Sequence, residues 1–373
     1  MSRARANNPL KTSLTEEWGL EYPVAAFGHC KDVIVEICNA GGLGVYGAAG
    51  LSPDDLERDI NWMRERIGNK PFGIDILIPA SVPPSGTLED FEAQIPKEHW
   101  EFIKRIKQEH NIPDPDPTKR AEERRRGNPV LTQERARKQL DVLISTKVPI
   151  FCAAQGNPAF IIPECHAHGV KVFGLIGLVR QARREHEARV DCVVAHGQDG
   201  GGHCGPIGTF TLVPQVVDAV SPTPVMAAGG VASGRQLAAA LMLGAVGVWT
   251  GTAWLAAKEH DVHPMGQKKL LAARSEDTVR NRWEDGAFNR HVRTKMDDLW
   301  EAKEAPPILP RPLQGILVHD IRQSIKDHEI EEFFTVAAGQ SAGMISEVKP
   351  ARQIMYDWAN EAMETFERMG VQF

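Results

Sequence analysis

Short β-rich runs alternate with helical patterns along the first 260 residues, and this alternation limits the fold more than any other feature of the chain. All but the sixth run are followed promptly by a helical pattern, and the eight runs cover residues 22–27, 43–47, 71–79, 148–153, 170–177, 191–195, 224–230 and 246–251. Repeated βα units predict a parallel sheet. Eight units predict an α/β fold of the closed (β/α)₈ TIM barrel type rather than an open sheet.

The barrel pattern is interrupted once and extended once. Residues 1–79 predict the first part of the barrel, and residues 148–260 predict the rest. Between them, residues 80–147 are rich in proline and charge, which indicates an inserted helical or cap segment. Its basic run KRAEERRR (119–126) is interleaved with glutamate, as is typical of a solvated helix face. Residues 261–373 are irregular and helical in pattern, and we expect a helical extension that packs on the barrel.

Composition excludes several classes of protein. The 373 residues carry 43 basic and 49 acidic side chains, a formal net charge of -6, so no positive excess is present to bind nucleic acid. The six cysteines include no CxxC pair, which argues against a disulfide framework or a thiolate zinc site and fits a reducing cytoplasm. The basic N-terminus lacks the apolar region of a signal peptide, so we expect a cytoplasmic protein.

One stretch imitates a membrane span. Residues 238–257, AAALMLGAVGVWTGTAWLAA, are twenty positions without a charge, which is long enough to cross a bilayer. Glycines interrupt the stretch, however, and a strand covered on both faces is apolar throughout. It therefore predicts the end of a buried helix, a turn, a buried strand and the start of another helix, and no membrane association is expected.

Two consecutive loops predict a phosphate site. Gly229 and Gly230 follow the seventh strand just before a helix start at Ser233, and Gly251 and Thr252 follow the eighth strand and open another helix. Bare backbone N–H groups at a helix N-terminus suit a phosphate, and TIM barrels often bind one in these two loops. Tight turns without a ligand are the alternative interpretation.

The loop after the sixth strand, AHGQDGGGHCG (195–205), holds five glycines and two histidines. His203 is a candidate proton-transfer group because imidazole titrates near neutral pH. Solvated histidines in a loop are the alternative interpretation. A metal site of His196, Asp199, His203 and Cys204 is disfavoured, since the spacing of the histidines fits no recurrent zinc pattern, and we expect no metal.

The stretch GLGVYG (42–47) satisfies the GxGxxG pattern of dinucleotide sites. Such a fingerprint follows a strand and opens a helix, whereas these glycines follow a helix and enter a strand. A Rossmann dinucleotide site is therefore not expected here.

With these motifs in place, the chain resembles the nitronate monooxygenases, also called 2-nitropropane dioxygenases, which are FMN-dependent (β/α)₈ barrels. The resemblance is strongest in DCVVAHGQDGGGHCG (191–205) and in the stretch from PVMAAGG through GTAWLA (224–256). It returns at AAGQSAGMI (337–345), is weaker at YPVAAFGH (22–29), and is absent from residues 80–147.

The resemblance implies roles for individual residues. His203 matches the histidine that acts as base toward a nitroalkane carbon or contacts the nitronate, and Gln340 and Ser341 are expected at the substrate. The cofactor-binding residues that it implies are Gly201 and Gly202 beside the flavin, Gly229, Gly230, Gly251 and Thr252 at the phosphate, the backbone of Ala25, Ala26 and Phe27 along the flavin ring, and Asp75, Lys171 and His196. Asp75 stands where the family usually has asparagine, and His196 stands where it usually has glutamine.

The implied activity is the FMN-dependent oxidation of alkyl nitronates or nitroalkanes by O₂ to a carbonyl compound and nitrite. The alternative on the same barrel is an FMN-dependent NAD(P)H:quinone or enoyl reductase. A third interpretation is a flavin- or phosphate-binding protein without turnover. The insertion and the C-terminal helices are candidate contact surfaces for a homo-oligomer.

Overall fold

The computed structural model describes residues 8–78, 83–118 and 132–371, and eight parallel strands among them close into a barrel. Each barrel strand pairs with the next, and the last pairs with the first. The strands in chain order are β1 (Val24–Gly28), β2 (Leu43–Gly47), β3 (Phe72–Leu77), β4 (Ile150–Ala154), β5 (Lys171–Ile176), β6 (Cys192–His196), the two-residue β7 (Gly202–His203) outside the barrel, β8 (Val225–Ala228) and β9 (Gly247–Thr250). All eight predicted barrel strands are present, so the predicted TIM barrel is confirmed.

Helices surround the barrel and continue into the C-terminal part. Their bounds are α1 (Ser13–Trp18), α2 (Lys31–Asn39), α3 (Pro53–Ile67), α4 (Leu88–Glu92), α5 (Lys97–Glu109), α6 (Gln133–Ser145), α7 (Ile162–Ala167), α8 (Val179–Glu187), α9 (Thr209–Val220), α10 (Gly234–Met242), α11 (Pro264–Ala272), α12 (Lys295–Glu301), α13 (Leu313–Asp327) and α14 (Ala351–Met369). The helix start predicted at Ser233 is present, because the Ser233 side chain accepts a hydrogen bond from Gln236 N; Ser52 caps α3 in the same way by accepting one from Asp55 N.

The barrel interior is filled by side chains from alternate positions of the strands. Val45, Cys152, Phe173 and Met226 pack together there and are buried. Leu14 of α1 joins this cluster, and Thr12 Oγ1 donates a hydrogen bond to the carbonyl of Val246, which immediately precedes β9. The amino-terminal end of the barrel is thus closed, and the opposite end remains for a site.

The stretch interpreted as an insertion contains one helix of the barrel itself. Helix α6 lies within residues 80–147, yet it packs against β3 and α3 as the helix of the third βα unit. The basic run 119–126 lies outside the described residues. Helix α6 begins after Thr132, whose side chain caps it. Because the sequence around this position is rich in charge, its pattern does not mark where the barrel resumes.

Helix α5 forms a second apolar core with the C-terminal part, and α4 contacts α13 beside it. Phe102 and Ile106 pack with Trp300, Leu317 and Ile321 in this core. Polar contacts join the same elements: His99 Nε2 lies 2.8 Å from the Pro307 carbonyl, and Ser324 Oγ donates to the Pro113 carbonyl at 2.6 Å. The insertion and the C-terminal part therefore support each other beside the barrel.

The C-terminal part is not wholly helical, contrary to the sequence-based expectation. Strands β10 (Thr278–Asn281) and β11 (Asn289–Val292) form an antiparallel hairpin, and β7 pairs with β11 so that His203 lies opposite Asn289. The strand sequences TVRN and NRHV are four residues long and mostly polar, so they lack the apolar run that marks the barrel strands.

Within the described residues, no helix has the length and apolar character needed to cross a membrane. The uncharged stretch 238–257 divides into the end of α10, strand β9 and a short 3₁₀ helix, Thr252–Ala256. The predicted helix start after β9 is thus a 3₁₀ helix rather than an α-helix.

Candidate active site

A cavity of about 910 Å³ opens at the carboxyl ends of the barrel strands. Phe27, Asp75, His196 and Trp249 line it from the barrel, and Asn289 lines it from the C-terminal hairpin. This is the end of a TIM barrel at which active sites are built, and the volume suits a cofactor together with a small substrate.

The loop after β8 presents free backbone donors to the cavity. Gly229 and Gly230 have φ angles of 95° and 77°, in the left-handed region that glycine adopts without strain. A Cβ on Gly230 would lie 3.0 Å from the Cβ of Asp199. In the part of the chain that the structure describes, the N–H groups of Gly230 and Val231 have no protein acceptor. Two free N–H groups just before α10 suit an anion.

The loop after β9 completes this cradle. Gly251 and Thr252 line the cavity where the 3₁₀ helix begins. Thr252 Oγ1 accepts a hydrogen bond from Gly339 N at 2.9 Å, and Gln340 N donates to the carbonyl of Asp199 at 2.9 Å. The segment at 339–340 therefore ties the loop after β9 to the loop after β6, although it lies far away in sequence.

His203 is held by an acidic residue from the C-terminal part. Its Nε2 lies 2.8 Å from Asp285 Oδ2, and the other carboxylate oxygen accepts a hydrogen bond from Ala287 N at 3.0 Å. Burial acts to raise the pKa of Asp285, but the contacts with His203 and Arg311 outweigh it and lower the pKa to about 2. The carboxylate is therefore charged at neutral pH.

Arg311 adds a cation to this pair. Its guanidinium contacts His203 Nε2 and Asp285 Oδ2, and it also contacts the side-chain oxygen of Gln155 beyond the end of β4. Gly286 allows this approach, because a Cβ there would lie 2.5 Å from the Leu309 carbonyl. The loop that carries Asp285 thus packs directly against the segment that carries Arg311.

The two histidines of the glycine-rich loop differ in environment. His196 ends β6 deep in the protein, where burial and the neighbouring His203 lower its pKa to about 4. The ring still reaches the cavity, but it stays neutral at physiological pH. His203 is partly exposed to the cavity, and among the described residues no hydrogen bond reaches its Nδ1. That nitrogen is available to a ligand.

Asp75 presents a carboxyl group without a charged partner. It is only 3% exposed, and its Oδ2 has no hydrogen-bond partner among the described residues. Burial raises its pKa to about 8, so the group is largely protonated at neutral pH. A protonated carboxyl can donate as well as accept a hydrogen bond, and a cavity ligand is the natural partner for this orphaned group.

Two of the residues considered as metal ligands, Asp199 and Cys204, make hydrogen bonds within the protein instead. Asp199 Oδ2 accepts a hydrogen bond from Thr209 N at 2.8 Å, and Cys204 Sγ donates to the Gln198 carbonyl at 3.6 Å. Cys30, His260 and Asp261 form a separate trio whose ligand atoms lie within 4.8 Å of one another. Burial raises the pKa of Cys30, and His260 Nδ1 already accepts a hydrogen bond from the backbone, so we assign no metal to the trio.

The structure brings most of the predicted site residues to one cavity. Those on its wall are Phe27, Asp75, His196, Gly201, Gly202, His203, Gly229, Gly230, Gly251, Thr252 and Ser341. Ala25 and Ala26 are fully buried within β1, and Gln340 does not line the cavity, although its backbone N–H donates to the Asp199 carbonyl. Lys171 lies at the start of β5, at the opposite end of the barrel, where it pairs with Asp191 and Glu17, so it does not line the cavity.

Sequence reasoning missed Asp285, Arg311 and Gln155. Asp285 and Arg311 lie in the C-terminal part, 82 and 108 residues beyond His203, and no local pattern links them to it. The Asp-Gly pair at 285–286 between two short runs was the one available signal, since it is a common turn sequence.

An anion cradle lies on the last two strand-end loops of this TIM barrel. An imidazole on the loop before them and a carboxyl without a partner among the described residues face the same cavity. This arrangement is the framework of a cofactor-dependent oxidoreductase. The cradle and the orphaned Asp75 fit a phosphorylated aromatic cofactor. The chain belongs to the nitronate monooxygenase family, whose sequence model, described as "Nitronate monooxygenase", matches residues 11–361. It is therefore an enzyme of a flavin-dependent oxidoreductase family.

Individual proteins show the same relationship. The chain is 38% identical over 367 residues to "Putative monooxygenase Rv1533" of Mycobacterium tuberculosis, covering 95% of this chain and 97% of that protein. It is 28% identical to a "Probable nitronate monooxygenase" of Staphylococcus aureus, with coverage of 94% and 97%.

Two solved structures have the same architecture. FabK from Thermotoga maritima is 30% identical with a TM-score of 0.73, over 96% of this chain and 98% of FabK. The nitroalkane oxidase from Streptomyces ansochromogenes has a TM-score of 0.79 at 24% identity, over 95% and 99% of the two chains, and this match speaks for the fold alone.

Proposed function

We propose that this enzyme uses FMN and O₂ to oxidise alkyl nitronates, with nitroalkanes as a second substrate class, to a carbonyl compound and nitrite. In the net reaction, two nitronate anions and one O₂ give two carbonyl compounds and two nitrite ions. The observation that carries the proposal is that His203 shares one cavity with both glycine loops of the anion cradle. The nitronate monooxygenase name of a relative 28% identical over nearly the whole chain supports the substrate class.

The residues present fit FMN. Gly229, Gly230, Gly251 and Thr252 would hold its phosphate through backbone N–H groups and the threonine hydroxyl. Asp75, together with Phe27, Gly201 and Gly202, would contact the ring system, and the protonated Asp75 carboxyl would gain the hydrogen-bond partner that the protein does not provide. When bound, the flavin supplies the electron-accepting chemistry of the reaction.

His203 performs the proton chemistry of the proposal. Toward a nitroalkane, its free Nδ1 accepts the proton from the carbon next to the nitro group. Toward a nitronate, the same imidazole in its protonated form donates a hydrogen bond to the anionic oxygens. Neutral His196 adds no charge that would compete for the anion. Ser341, which is 5% exposed and lines the cavity, is a further hydroxyl donor toward the substrate.

Apolar side chains keep the reacting groups out of bulk water. Phe27 and Trp249 stack with their ring centroids 5.8 Å apart on the cavity wall, and Leu77 and Leu175 line the same wall. Lower local polarity strengthens the hydrogen bonds that hold an anion.

The test is anaerobic mixing of the FMN-loaded protein with an alkyl nitronate, with flavin absorbance as readout, followed by nitrite release in air. We expect flavin reduction and nitrite in the wild type. A His203→Ala variant should retain FMN and lose at least about 100-fold in rate with a nitroalkane, the usual loss when a general base is removed. His168→Ala, an exposed histidine whose Nδ1 contacts the Glu164 carbonyl, is the matched control and should behave as wild type.

Absence of flavin reduction by every nitronate and nitroalkane would contradict the proposal.

The second candidate is FMN-dependent reduction of a quinone or an enoyl substrate by NAD(P)H. It is supported by the 30% identity with FabK over nearly the full chain and by a cavity large enough for more than a small nitro compound. Anaerobic flavin reduction by NADH or NADPH without a nitro compound would favour this reductase. The free state of all six cysteines supports a cytoplasmic site of action for either activity.

A further inference from the structure

The C-terminal part places two oppositely charged side chains next to the Nε2 atom of His203. Asp285 Oδ2 lies 2.8 Å from His203 Nε2, and the Arg311 guanidinium contacts both groups. The side chains of Asp285 and Arg311 are 27% and 11% exposed, so water screens this cluster only partly.

The two neighbours impose different proton positions on the imidazole. An ionised carboxylate only accepts hydrogen bonds, so Asp285 favours a proton on Nε2 and leaves the lone pair on Nδ1. A guanidinium only donates, so Arg311 by itself would favour the reverse tautomer. Arg311 also donates to Asp285 and to Gln155, so its N–H groups have acceptors other than His203. A proton on His203 Nε2 has Asp285 as its acceptor, and the tautomer with Nε2–H therefore satisfies all three groups.

We propose that Asp285 and Arg311 are positioning residues for His203: Asp285 holds the proton on Nε2 so that Nδ1 is the reacting nitrogen, and Arg311 cancels the charge of Asp285 at the ring. The inference deepens the proposed function and rests on it for the role of His203 as base. It assigns to the C-terminal part the task of setting the basicity of a histidine that the barrel supplies.

The other groups around His203 are neutral, are paired with an opposite charge, or, like Arg280 and Arg290, are cations that donate to backbone carbonyls and keep their charge in every variant. His196 of β6 is neutral at working pH. Glu284 contacts Arg322 and His291, and the Arg280 guanidinium donates to the Cys204 carbonyl. Gln155, the remaining contact of the cluster, carries no charge. Asp285 and Arg311 are therefore the pair whose removal changes the charge at the ring.

Charge removal should shift His203 in opposite directions. In Asp285→Asn the guanidinium remains unopposed, which disfavours imidazolium, so the titration midpoint of His203 should fall by about one pH unit. In Arg311→Gln the carboxylate remains unopposed, which favours imidazolium, so the midpoint should rise by about one unit. The double variant should return close to wild type, and Arg311→Lys should stay close to it.

The experiment follows the His203 ring nitrogens by ¹⁵N NMR across a pH titration of FMN-loaded protein, with His203→Gln identifying the signal. In parallel, the acid limb of kcat/KM with a nitroalkane is measured for each variant. We expect Nε2–H in the wild type and the same ordering of the variants in both measurements. Lower kcat without a corresponding change in KM is expected for Asp285→Asn, because the wrong tautomer impairs proton transfer rather than binding.

Unchanged midpoints in the two single variants, shifts in the same direction, or a proton on Nδ1 in the wild type would overturn the inference. If one single variant unfolds, the other still decides it, since its midpoint must move in the stated direction while that of Arg311→Lys stays near wild type. If no nitro compound is turned over, the proposed function fails, whereas the NMR titration still reads the effect of Asp285 and Arg311 on the ring.

Discussion

Replacing Asp75 by asparagine should stabilise the flavin-free protein at neutral pH. Asp75 is fully enclosed, its Oδ2 has no partner among the described residues, and burial raises its pKa from 3.8 to about 8. The folded state therefore binds a proton that the unfolded state releases between those two values. Because the folded pKa is the higher one, this group's contribution to stability is complete below about pH 4 and is lost as pH rises through about 8.

The size of the effect follows from the width of this window. At 1.36 kcal/mol per pKa unit, protonating Asp75 at pH 7 costs the folded state on the order of 4 kcal/mol, an upper bound because relaxation and water entry reduce it. Asparagine keeps the shape and removes the titration. The difference in free energy of unfolding between Asp75→Asn and wild type should thus grow from near zero at about pH 4 to several kcal/mol at about pH 8.

Urea unfolding of flavin-free protein at pH steps across this window measures the effect. Asp59→Asn is the matched control: Asp59 is also a buried carboxyl, but Lys31 Nζ and Tyr46 OH contact it at 2.6 and 2.9 Å, so its replacement should not stabilise the fold. Parallel stability curves for wild type and Asp75→Asn would refute the reasoning, since they would mean that Asp75 has the same proton affinity in both states.

Two further replacements test the supports of the site. Asp297 is fully buried and accepts hydrogen bonds from His291, Trp283, Asn281 and Thr294, and these contacts outweigh burial and hold its pKa well below the ordinary range. Asp297→Ala should therefore lower the free energy of unfolding in urea by about 3–5 kcal/mol. The exposed neighbour provides the control, since Asp298→Ala should lower it by less than about 1 kcal/mol. Gly230→Ala should weaken binding of the proposed FMN about tenfold or more by fluorescence titration, because φ is 77° and the added Cβ would lie 3.0 Å from the Cβ of Asp199. Gly208→Ala, where φ is -59° and no atom lies within 4 Å of the added Cβ, should bind normally. Equal losses within either pair of variants would contradict the assigned roles.

The barrel and its cradle are readable from sequence because their signals are local. Each barrel strand is a short apolar run next to a helix, and Gly229 and Gly251 directly follow two of those runs. His203 is likewise marked by the glycines before it. The position of Lys171 illustrates the limit of a resemblance, since a matching residue at the start of β5 lies at the end of the barrel away from the cavity.

The residues that hold His203 could not be found in the same way. Asp285 and Arg311 reach it through the packing of the hairpin and α13, and this part of the chain shares an apolar core with the insertion helix α5. None of these contacts leaves a period in the sequence. The hydrogen bond between Asp285 and His203 forms only when the C-terminal part and the barrel pack together, so no sequence pattern near either residue predicts it.

The two imidazoles of the glycine-rich loop show why residue type alone does not decide chemistry. His196 and His203 are seven positions apart and face one cavity, yet the protein treats them differently. His196 sits where charge is penalised by burial and by its neighbour, so it remains neutral and can only exchange hydrogen bonds. His203 is partly exposed to the cavity and contacts a charged acid and a compensating cation that the C-terminal part supplies. In the proposed function, proton transfer is therefore assigned to His203, and the neutral ring of His196 adds no charge that would compete for an anionic substrate.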